Sequence, residues 1–105
     1  MAEQNIGIKV NELEEGQVAG ATIGDVTYAI LKHQEKVYVL DGKCTHEGGP
    51  LGEGYIDNSE LICPWHSGAY AVDTGKANEN TPWVTDIKSY KVRIDDATGD
   101  IYVDV

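Results

Sequence analysis

Two cysteines and two histidines constrain this chain more than any other residues in it. They fall as Cys44-Thr45-His46, then sixteen residues, then Cys63-Pro64-Trp65-His66. Each segment supplies one soft thiol and one imidazole, and two loops can bring the four side chains to one point. Three chemistries use such a set. A disulfide would leave both histidines idle and require an oxidising compartment, of which the sequence gives no sign. A tetrahedral zinc site accepts both ligand types. Zinc hairpins, however, usually open with Cys-x₂₋₄-Cys and close with His-x₃₋₅-His, whereas each loop here mixes the two. A two-iron, two-sulfide cluster needs four terminal ligands. One Cys and one His from each loop would place both thiolates on one iron and both imidazoles on the other.

The segments Cys44-Thr45-His46-x-Gly48-x-x-Leu51 and Cys63-Pro64-Trp65-His66 resemble the two loops of the Rieske family. Tyr70, Val72 and Thr74-Gly75-Lys76 resemble the strand and turn that follow the second loop. Ile87, Tyr90, Val92 and the final Ile101-Tyr102-Val103 are similar to its closing hairpin. The resemblance spans nearly the whole chain. Either loop alone would be a weak signal, but the pair is specific.

The resemblance implies one [2Fe–2S] cluster of Cys₂His₂ type, with Cys44 and Cys63 on the buried iron and His46 and His66 on the outer iron. Gly48, Gly49, Leu51, Trp65, Ser67, Gly68, Tyr70 and Pro82 would surround it. Neutral imidazoles in place of two thiolates lower the charge opposing reduction, so the implied potential exceeds that of plant-type ferredoxins and lies within about −150 to +300 mV. In high-potential members a serine bonds a sulfide and a tyrosine bonds a cysteine sulfur. Here those positions are Gly68 and Tyr70, and a hydroxyl stands instead at Ser67, where the family usually has glycine. Ala71 stands where ferredoxin-like members commonly have aspartate. Loss of the serine donor implies a potential below the high end.

No nucleophile and no nicotinamide or flavin motif is evident, so the expected role is an electron-transfer protein rather than an enzyme. By resemblance it is a soluble one-electron carrier between a reductase and a terminal oxygenase. The rival roles are a small Rieske-type accessory subunit of a reductase, such as the nitrite-reducing enzymes, and a zinc-stabilised binding module.

With 105 residues the chain is expected to be a single domain. It holds 18 acidic and 8 basic residues, for a formal charge of −10. That balance argues against nucleic acid, which needs clustered Lys and Arg. It favours solubility, or steering toward basic partners. Met1-Ala2-Glu3-Gln4-Asn5 shows neither a basic region nor an apolar run, and no apolar stretch approaches a membrane span. A cytoplasmic monomer without membrane attachment is expected.

Alternation predicts an all-β chain of short antiparallel strands. The expected fold is a Rieske-like sandwich base, 1–42 and 84–105, with an inserted cluster-binding subdomain of two loops, 43–83. Strands are predicted over 6–10, 17–23, 26–32 and 37–40, a hairpin over 55–62, a strand over 69–72, and a last hairpin of 87–94 and 101–105. Residues 11–16 read as a helical turn capped by Asn11. The glycines from Gly48 to Gly54 are too dense for a strand, and their N–H groups could approach an anionic cluster. The family resemblance implies that Pro82-Trp83 covers the cluster. His33, alone at a polar turn, reads as an exposed surface histidine.

Overall fold

A computed structural model describes residues 3–45, 48–65 and 67–105. The fold is all-β and antiparallel, with three sheets among the described residues. β1 (Glu3–Lys9) pairs with β10 (Asp100–Asp104), which pairs in turn with β9 (Val92–Ile94). The second sheet runs β2 (Val18–Ile23), β3 (Val26–His33), β4 (Lys36–Asp41) and β8 (Ser89–Tyr90). The third, smaller sheet is β5 (Tyr55–Asp57), β6 (Glu60–Ile62) and β7 (Ala69–Ala71).

The second sheet is buried on both faces, and its sequence says why. In β3, Tyr28, Ala29, Ile30 and Leu31 form an unbroken apolar run, and all four are buried. Side chains alternate across a strand, so this run feeds two cores. Tyr28, Ile30 and Val39 pack with Ile6, Leu13, Ile101 and Val103, joining the first sheet to the second. Ala29, Leu31 and Leu40 face the other way and pack with Cys44, Leu51, Leu61, Cys63 and Tyr70. The cysteine loops are therefore seated on the back of the base sheet. Each fully buried aliphatic side chain contributes about 1.5–3 kcal/mol to that junction.

Three expectations are corrected. The helical turn is a 3₁₀ turn at Val10–Glu12, and Asn11 lies within it rather than capping it. The Glu12 carboxylate accepts the Lys9 N–H at 2.9 Å and does the capping instead. The strand expected over 87–94 divides at Lys91: β8 stays with β4, and β9 crosses to β10. Asp41 holds this corner through the Lys88 N–H at 2.9 Å and the Tyr90 hydroxyl at 2.6 Å. His33 is half-buried, and its Nε2 lies 3.1 Å from Ser59 Oγ, so the β3–β4 turn touches the β5–β6 turn.

Candidate metal centre

The two cysteine loops close with the same pair of backbone hydrogen bonds. In the first, Cys44 donates its N–H to Gly49 O at 2.9 Å, and Gly48 donates to Cys44 O at 2.9 Å. In the second, Cys63 donates to Gly68 O at 2.8 Å, and Ser67 donates to Cys63 O at 3.1 Å. The fourth residue after each cysteine takes a left-handed backbone: Gly48 at φ 72° and Ser67 at φ 59°. The first loop runs on into a 3₁₀ turn, Leu51–Glu53, whose Leu51 is fully buried beside the cysteines. Sequence reading placed only a glycine-rich loop there.

Both cysteines are buried, and neither forms a disulfide. A Cβ added at Gly49 would stand 2.8 Å from Cys63 Sγ and 3.3 Å from the Trp65 ring. Gly49 of the first loop thus lies directly against the second loop, and only a residue without a side chain fits there. The Gly48 N–H is engaged by Cys44 O and so closes the loop. Trp65 packs on Gly49 yet keeps about half its surface exposed.

Tyr70 is fully buried, and its hydroxyl oxygen is a hub. It lies 3.3 Å from Cys44 Sγ, accepts the Thr45 N–H at 3.1 Å, and lies 3.1 Å from Thr45 Oγ1. Burial first, and then the contact with Cys44, push its phenol up to about 12, so the hydroxyl keeps its proton. A thiolate at Cys44 would be an acceptor only, which makes Tyr70 the donor. Thr45 Oγ1 also accepts the Thr85 N–H at 2.8 Å, tying the segment after Pro82 to the first loop.

In that segment Val84 packs on the second loop. Pro82 and Trp83 are exposed, whereas Val84 is buried. A Cβ added at Gly68 would stand 2.6 Å from Val84 Cγ1. Thr45, Val84 and Thr85 are contacts that sequence reading missed. Thr45 sits inside the quoted motif, but nothing in its spacing names its partners. His46 and His66 lie outside the described residues.

Among the described residues, two buried soft donors on matched loops and a glycine gap between them fit a small thiolate-bound cluster. The model of the Rieske [2Fe-2S] domain matches residues 5–91. The chain belongs to the Rieske family. The ferredoxin component of the naphthalene 1,2-dioxygenase/salicylate 5-hydroxylase systems of Ralstonia sp is 34% identical over 86 residues, 82% of each chain. The ferredoxin component of the naphthalene 1,2-dioxygenase system of Pseudomonas putida is 33% identical over 88 residues, 84% of each chain. Among solved structures, the Sphingomonas yanoikuyae B1 ferredoxin superposes with a TM-score of 0.86 at 28% identity, covering 99% of both chains. A Rieske domain houses a [2Fe–2S] cluster. No helix among the described residues is long and apolar enough to cross a membrane.

Proposed function

We propose that this Rieske protein is a one-electron carrier, taking electrons from a reductase and delivering them to a terminal oxygenase. The observation that carries this reading is the pair of matched loops, each presenting one buried cysteine, in a chain that aligns along most of its length with ferredoxin components of oxygenase systems. Cys44 and Cys63 would hold one iron through sulfur, and His46 and His66 the other through ring nitrogen. When bound, the cluster supplies a single reversible electron at a potential set by its ligands and their hydrogen bonds.

The chain's own residues supply the rest. Tyr70 donates toward Cys44 and favours the more negative, reduced state. Thr45 fixes the Tyr70 oxygen through its N–H. Val84 and Leu51 exclude water from the cysteine side. Gly49 lets the loops approach, and Trp65 shields one flank while leaving an aromatic surface for a partner. We place the cluster-bearing unit at 43–83 within a base of 1–42 and 84–105. The protein works as a monomer in the cytoplasm, whose reducing conditions suit two thiols destined for iron. Stoichiometric reductive titration tests the reading: uptake of one electron per chain is expected, and no uptake by protein of full iron and sulfide content would overturn it.

A further inference from the structure

Two of the large apolar side chains left exposed, Trp65 and Trp83, belong to the second loop and to the segment that covers the loops. Trp83 is flanked in sequence by two residues of an open groove of about 690 Å³. The groove is lined by apolar Ala77, Pro82 and Val84 and by the carboxylates of Glu79 and Asp86, with no Lys or Arg among its lining residues. Its walls run directly into the cluster loops. Ala77 is bridged to Tyr70, whose hydroxyl touches Cys44. Val84 packs on Gly68, and Thr85 is bonded to Thr45. Asp86 Oδ1 accepts the Ala77 N–H at 2.8 Å and ties the walls together, which leaves its other oxygen and Glu79 as the groove's negative charge.

We propose that this groove receives a basic side chain of the redox partner, with Trp83 packing on the partner's apolar surface beside it. The proposal rests on the electron-carrier reading and names the chemistry of the partner's face. An Arg or Lys has an aliphatic stem for Ala77, Pro82 and Val84 and a charge for Glu79 and Asp86. The formal charge of −10 steers such a partner at long range. Tryptophan is among the side chains enriched at the energetic centres of interfaces. A side chain seated there lies against Ala77, which is bridged to Tyr70, so the docked partner sits beside the cysteine loops.

Cytochrome c, a basic haem protein, is the probe. The stoichiometrically reduced protein is mixed with it, and the second-order rate of haem reduction is followed against ionic strength. Glu79→Gln is expected to slow the reaction at low salt about threefold and to flatten its salt dependence. Trp83→Ala is expected to slow it at every salt concentration. Asp96→Asn, an exposed acid in the β9–β10 turn, is expected to leave it unchanged. Equal slowing by Asp96→Asn and Glu79→Gln would reduce the effect to net charge and overturn the proposal, as would wild-type rates for both groove variants. The EPR spectrum of each sample reports the cluster separately, so a wild-type protein lacking the cluster signal would mark failure of the carrier reading itself.

Discussion

Gly48 and Ser67 occupy the same place in two loops of different sequence. Each is the fourth residue after a cysteine, each donates its N–H to that cysteine's carbonyl, and each has a positive φ, 72° and 59°. The relationship explains glycine at the first site and makes serine at the second a departure with a cost, since a side chain in the left-handed region is disfavoured by about 1–2 kcal/mol.

Ser67→Gly should therefore stabilise the protein by up to about 1 kcal/mol, the relieved strain being offset in part by the added freedom of the unfolded chain. Gly48→Ala should destabilise it by about 1–2 kcal/mol. Among the described residues no neighbour lies within 4 Å of a Cβ at Gly48, so the effect expected there is that of the backbone. Urea unfolding of the cluster-loaded proteins measures both changes. Equal effects of the same sign would refute the matched-loop account.

Tyr70→Phe removes the hydroxyl that bridges Cys44 and Thr45. The midpoint potential should fall by tens of millivolts, because a differential of about 1 kcal/mol corresponds to about 40 mV for one electron. Protein-film voltammetry reads this directly. An unchanged potential would reduce Tyr70 to a core aromatic.

Gly68→Ser should destabilise the protein by about 1–3 kcal/mol, because its Cβ would meet Val84 Cγ1 at 2.6 Å. Adding Val84→Ala opens that space, so the double variant should be more stable than the sum of the two single changes predicts. Additive effects, measured by thermal unfolding, would mean that Val84 is not what excludes a side chain from position 68.

Glu15 accepts the N–H groups of Gln34 at 2.7 Å and Glu35 at 2.9 Å, both of which have positive φ in the β3–β4 turn. These two hydrogen bonds hold its carboxyl below the usual value of 4.5. A depressed folded-state pKa contributes stability that is present above the unfolded value and lost as pH falls through the folded one. Glu15→Gln should thus lower the thermal midpoint at pH 7. The difference from wild type should shrink as pH falls below 4.5. A difference independent of pH would show that shape, rather than charge, does the holding.

The parts legible in the sequence were those with short-range signatures. The hairpin at Tyr55–Ile62 and the strands β2 to β4 follow from alternation and turn residues, and the two Cys/His loop motifs together point to the family. The split at Lys91 is hidden because 87–94 reads as one alternating run, and contacts made across the fold, by Asp41 with Lys88 and Tyr90 and by the Asp104 N–H with Lys91 O, hold it between the two sheets. Val84 is not legible in the sequence, because a valine's importance depends on what it touches. The Tyr70–Thr45–Thr85 chain joins residues 25 and 40 positions apart, a distance that no local pattern encodes.

The most direct test of the central claim is pulsed EPR on the dithionite-reduced protein labelled with ¹⁵N-histidine, with iron and acid-labile sulfide assayed on the same sample. The account predicts equimolar iron and sulfide, an average g below the free-electron value, and couplings from two imidazole nitrogens, assignable to His46 and His66 by losing one in each single variant. A colourless protein that binds zinc, has no sulfide and resists reconstitution would contradict it.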